Sequence, residues 1–175
     1  MKKHVGKLLL SMLAGACIVF ATVVTDYDHA VDFHKYKTYS WIKVKVDDPL
    51  WEGRITRAID TQLVAKGWGK VPMNGDAAVA AFGSVHEKKT LETWYSGFGG
   101  GWHWHGWGGT GLATTTVDET PVGTLAVDIF DGSTQALIWR GRASETLTSK
   151  PEKDEKKLDK VVAEIFKKFP PPSKD

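Results

Sequence analysis

A chain of 175 residues with 42% hydrophobic and 25% charged side chains is long enough for one domain with a real core. Its 23 basic and 21 acidic residues nearly cancel, so it lacks the electrostatic footprint of a nucleic-acid binder. The single cysteine excludes an intramolecular disulfide framework.

Residues 1–16 read as an export signal. Met1 to Lys7 is cationic, Leu8 to Leu13 is apolar, and Ala14-Gly15-Ala16-Cys17 supplies the small residues a signal peptidase needs. The weakly polar run from Leu8 to Val24 lies at the lower edge of a bilayer span, so a retained transmembrane helix is the alternative. Three cleavage positions fit: before a lipid-modified Cys17, after Ala16 without modification, or after Ala21. A lone thiol in an oxidising compartment is a liability that acylation removes, which favours Cys17 as the lipidated mature N-terminus. Ala14 stands where a lipobox prefers leucine. Ile18 is not the aspartate that retains Gram-negative lipoproteins at the inner membrane, which points to the periplasmic face of the outer membrane. Cleavage there removes Lys2, Lys3 and Lys7 and leaves 20 basic against 21 acidic residues.

A tether over 17–22 leads into one domain over 23–169. Val23 to Asp28 and Tyr36 to Ile42 read as strands. Asp48-Pro49 is an N-cap followed by proline at the first helical position, and Trp51, Ile55, Ala58, Ile59 and Leu63 form one apolar stripe that Gly67 ends. Ala77 to Val85 reads as a buried strand that continues, more polar, from Glu87 to Trp94. A glycine-rich loop over 97–111 interrupts, and strand character resumes at Thr114 to Glu119 and at Thr124 to Phe130. Asp131-Gly132 turns the chain into Ala136 to Ala143, a hairpin. Glu155 to Phe169 carries the stripe Leu158, Val161, Val162, Ile165 and Phe169, stopped by Pro170-Pro171-Pro172, and 170–175 is a proline-rich tail. This order predicts an α+β two-layer sandwich, two helices on one face of a mainly antiparallel sheet.

Several blocks carry a family resemblance: Thr25 to Asp28, Asp32-Phe33 with Lys35 to Tyr39 and Trp41, Arg54-Ile55 with Ala58 to Asp60, Lys66 to Trp68, and Gly123 to Asp131 leading to Leu137 to Gly141. In that order they resemble the "domain of unknown function 4136" lipoproteins of bacterial envelopes, over about residues 23–170. The resemblance implies a lipid-anchored envelope location and a single α+β domain. It implies no activity and no catalytic residues.

The most unusual segment is Gly99 to Gly109, with Trp102, His103, Trp104, His105 and Trp107. Extended, it would put His103 and His105 on one side, able to hold Zn²⁺, Cu²⁺ or Ni²⁺ weakly, with His86, Glu87 or Glu92 as the nearby further ligands. Trp102, Trp104 and Trp107 suit a protein partner, a membrane interface or a glycan, or fold back on the sheet. The glycines lack the Gly-Lys-Ser/Thr ending of a phosphate loop. Asp26, Asp28 and Asp32 lack calcium-loop spacing and read as turn formers. Asp128 and Arg140 are placed to pair across the hairpin, and Lys150 to Lys160 reads as a solvated charge run.

The expected function is a non-enzymatic interaction or assembly module held to a membrane by an N-terminal lipid. The alternatives are a metal- or small-ligand-binding protein using His103 and His105, and a cell-wall hydrolase with carboxylates at catalytic separation. Neither a catalytic motif nor a required cofactor is expected.

Overall fold

A computed structural model describes residues 21–95 and 113–172, with side chains throughout except along 89–95 and 113–118. Six strands form one mixed sheet: β1 (Thr22–Tyr27), β2 (Thr38–Val46), β3 (Gly69–Lys70), β4 (Ala77–Tyr95), β5 (Ala113–Asp131) and β6 (Leu137–Thr146), in the spatial order β1-β6-β5-β4-β2-β3. The pairings β1–β6, β6–β5 and β5–β4 are antiparallel, as expected for most of the sheet. Those of β2 with β4 and β3 are parallel, because the helix α1 (Glu52–Ala65) carries the chain back across the sheet after β2. A second helix, α2 (Pro151–Ile165), follows β6 and packs beside α1.

The core lies between the helices and one sheet face. Ala77, Val79 and Ala81 of β4 and Leu125, Val127 and Ile129 of β5 alternate inward and meet Ile55, Ile59 and Leu63 of α1 and Val162 and Ile165 of α2. Gly141 of β6 lets α2 approach, since a Cβ there would collide with Ile165 and the Trp139 ring. The outer face has no described helix over it. Its centre is closed by Asp128, 3% exposed, which takes two 2.6 Å hydrogen bonds from Arg140 across the β5–β6 ladder.

Several boundaries differ from the sequence reading. β2 runs four residues past Ile42, because a bulge at Ile42 resets its alternation: Tyr39 and Trp41 face the helices before it, and Val44 and Val46 after it. Asp48 and Pro49 start a 3₁₀ turn, Pro49–Trp51, that leads into α1. α2 begins and ends four residues early, and Phe169 reaches the core from the turn after it.

The largest departure is in β4 and β5. The stretches read separately as Thr114 to Glu119 and Thr124 to Phe130 are one strand of 19 residues, paired with all 19 of β4. β2 leaves β4 at Gly83 and β6 leaves β5 at Val122. Beyond that root, from Glu87 to Tyr95 and back from Ala113 to Pro121, the hairpin runs on as a two-stranded arm of nine residue pairs, about 30 Å long at ~3.4 Å per residue. Among the described residues no helix is long and apolar enough to cross a membrane.

Candidate functional site at the root of the arm

Both helices start at the arm end of the sheet and run away from it. Arg54 and Arg57 of α1 accordingly sit beside Glu155 of α2, with Arg57 Nη2 2.7 Å from its carboxylate. The far end is closed by stacked rings. Phe169 packs edge-on against Phe33, Trp68, Trp139 and Phe166 at centroid distances of 5.1–5.9 Å, and Tyr36 tilts against Trp68.

The arm end is not closed. Val46, Trp51 and Ile55 from one side, Leu125 from the sheet, and Leu158 and Val161 from α2 surround an apolar cavity of about 380 Å³. That is within the range of small-molecule pockets, roughly 300–1,000 Å³. Gly83 and Gly123 lie at inward positions of the floor. A Cβ on Gly83 would come within 3.0 Å of Val46 Cγ1, and one on Gly123 within 3.0 Å of Leu147 Cδ2, so the neighbours rest on bare backbone.

The rim is acidic. Asp47, Asp48, Glu145 and Asp154 line it against the single ammonium of Lys157. Each acid is held in place. Asp47 accepts from Val85 N at 3.0 Å, Asp48 from Leu50 N at 2.9 Å, and Asp154 with both oxygens from Thr148 N at 2.9 and 3.0 Å. Lys157 Nζ lies 3.5 Å from Glu145 and donates to the Thr146 carbonyl at 2.6 Å. Asp154, 6% exposed, corrects the reading of Lys150 to Lys160 as wholly solvated: it is a buried cap pinning the loop that roofs the cavity. What this site offers chemically is exclusion of water from an apolar guest.

The remaining carboxylates hold the fold. Asp60 on α1 accepts from Tyr39 Oη, Trp41 Nε1 and Lys70 Nζ at 2.7–2.8 Å. Burial pushes its carboxyl up, but these three donors outweigh that and leave it below the ordinary range. Burial first, then donation to Asp60, raises the Tyr39 phenol strongly. Asp131 accepts from Ser133, Thr134, Tyr36 and Lys35, with the Ser133 hydroxyl foremost in holding it far below a normal carboxyl. Asp131 shares a polar cleft with Asp76, which Lys37 N and the Thr38 hydroxyl and N–H also depress. A hydrolytic acid needs a raised pKa, and this pair is shifted the other way.

Cys17, Trp102, His103, Trp104, His105 and Trp107 lie outside the described residues. His86 and Glu87 are exposed and adjacent on β4, hence on opposite faces of the arm, and Glu92 is five residues beyond Glu87, roughly 17 Å of strand rise. Among the described residues no group of three or more His, Cys, Asp or Glu is placed to hold a metal. Asp28 and Asp32 accept from backbone N–H groups two residues on, as turn formers do, whereas Asp26 lies within β1, opposite Arg140, and accepts from Tyr27 N. Asp128 and Arg140 pair as expected, with the acid more buried than a surface pair. Sequence reasoning missed the cavity. Its only linear signal is a glycine at an inward position of each long strand, Gly83 and Gly123.

The sequence blocks that carried the family resemblance include those that tie β2 to α1 and fix the β5–β6 turn. A family model described as "Domain of unknown function (DUF4136)" matches residues 23–171. The chain belongs to this family. The DUF4136 description names no activity, and no curated protein is a significant match to the sequence. In fold, this DUF4136 chain is similar to a PDZ domain protein from Parabacteroides distasonis ATCC 8503, with TM-score 0.56 and 15% identity. The alignment covers 88% of this chain and 36% of that one, so this chain spans about a third of that protein's length. It is similar to the dodecamer of a leucine-to-methionine variant of PelC from Paraburkholderia phytofirmans, with TM-score 0.50 and 16% identity over 84% of this chain and 95% of that one. A lipoprotein from Neisseria meningitidis gives TM-score 0.41 at 11% identity, over 75% and 99% of the two chains. At such identities the likeness speaks for the fold alone.

Proposed function

We propose that this DUF4136 protein is an exported, lipid-anchored envelope protein, standing on the periplasmic face of the outer membrane, that works as a non-enzymatic interaction or assembly module. One observation carries the reading: the arm leaves the domain at the end where β1 begins. Thr22 pairs with Ser144, which faces Thr124 at the arm's root. The chain leading from Cys17 therefore joins the domain at the arm end, and a lipid on Cys17 would bring that end to a membrane. One acyl chain holds only marginally, so a multi-chain lipid is the form expected to anchor it.

The arm supplies the contact surface. Asp47 satisfies the Val85 N–H on one edge of its root, and Leu147 N donates to the Pro121 carbonyl on the other. Outward of these no other described strand runs alongside, so its backbone offers the pairing that an added strand would use. Trp102, Trp104 and Trp107 follow Tyr95 in the sequence and are the residue type that interfaces favour.

Mass spectrometry of the mature N-terminus tests the anchor, with an acylated Cys17 expected. An unmodified N-terminus at Cys17 or Thr22 rejects it. Co-purification from membranes, with and without residues 97–111, tests the module. A partner or self-assembly retained equally by both forms rejects a role for these residues.

A further inference from the structure

We infer that the cavity at the root of the arm takes one acyl chain of a phospholipid whose head group carries an amine. The walls come first. This is the end of the core that the fold leaves open: Val46, Trp51, Leu147 and Leu158 stay partly exposed here, whereas Phe166 and Phe169 at the other end are 0% and 1% exposed. The space of about 380 Å³ lies between sheet and helices and its walls are mainly apolar, which suits a hydrocarbon tail.

The rim selects the head group. Asp47 and Asp48 are exposed, and Glu145 and Asp154 are more buried; among the described lining residues Lys157 is the one cation set against them. Because backbone donors fix Asp47, Asp48 and Asp154, the acids cannot swing away from a bound anion. A phosphatidylglycerol head or a fatty-acid carboxylate would meet repulsion there, and an ammonium would meet attraction. The source follows from the chain path. Ala143 and Glu145 line the cavity on either side of Ser144, the residue opposite Thr22, so the tether reaches the domain beside this opening. The occupant is thus a lipid of the membrane that this end faces. Binding itself does not require an acylated Cys17.

The test uses the mature chain with Cys17→Ser, which carries no lipid of its own. It is incubated with vesicles of equimolar phosphatidylethanolamine and phosphatidylglycerol, repurified, and examined by native mass spectrometry. One phosphatidylethanolamine per chain is expected, at least fivefold over phosphatidylglycerol. In a chain-length series each methylene removed should weaken retention about fourfold. Gly123→Leu, which drives Leu147 into the space, and Leu158→Glu, at a half-exposed position, should both lose the lipid while keeping a cooperative melt. Asp47→Asn should narrow the head-group preference. No adduct, equal retention of both lipids, or an adduct that survives in either folded blocking variant would overturn the inference. If the acylated protein refuses added lipid while the Cys17→Ser chain accepts it, the cavity holds the chain's own lipid and the membrane source is wrong. An unmodified Cys17 would overturn the anchor and leave this result standing.

Discussion

Asp60 gathers hydrogen bonds from β2 and from β3, and so fixes the helix to both strands at once. Asp60→Ala would leave the buried Tyr39 hydroxyl without its acceptor, at a cost of about 2–3 kcal/mol in a urea titration. A change below about 0.5 kcal/mol would show that water replaces the carboxylate freely. Asp60, Asp76 and Asp131 share a direction, all held below the ordinary carboxyl range. Such groups stabilise the fold fully above the unfolded value near ~4 and lose that contribution as pH falls toward their folded values. The melting temperature should therefore drop steadily from about pH 5 to pH 3. Asp131→Asn should begin lower at pH 7 and fall less steeply, and parallel curves would contradict the assignment. The sequence marked both Asp60 and Asp131 through the family blocks. Their partners were not legible, because Tyr36 and Asp131 are 95 residues apart and meet only in the fold.

At the scale of elements, the apolar stripe of α1 and the alternation of β5 from Leu125 to Ile129 were readable because each keeps one period. β2 was half readable, since the alternation changes phase at Ile42 and no local signal says so. Ile42 is the extra residue of the bulge and is 60% exposed. Deleting it should leave Val44 and Val46 facing the core and preserve a cooperative unfolding transition. Deleting Ala126, in an unbroken stretch of β5, should turn one half of that strand inside out and abolish folding. If both deletions behave alike, the bulge does not set the phase. The arm is a separate matter. It pairs with itself and adds little to the core, so joining His86 to Val122 through Asn-Gly should lower the melting temperature by only a few degrees, roughly 1 kcal/mol or less. A large loss would mean that the arm supports the domain.

For the whole molecule, class and layer order followed from the succession of strands and helices, and the structure agrees with them. The parallel β2–β4 contact and the cavity did not follow. Both depend on which elements the crossover places side by side, and the cavity is a gap left among Val46, Ile55, Leu125 and Leu158, residues that singly read as ordinary core. The contrast between a ring-packed end and an open one is a property of the assembled domain.

The arm's length also sets a limit on posture. Tyr95, its last described residue, lies about 37 Å beyond the level at which β1 begins, whereas the five residues from Cys17 to Thr22 span at most roughly 18 Å. For a domain held at Cys17 the leash is half as long as the reach of the limb beside it. Such a molecule cannot stand upright with the limb pointing down in open water. Either the limb dips some 20 Å below the level of the anchoring cysteine, or the domain leans over and lays it along the surface.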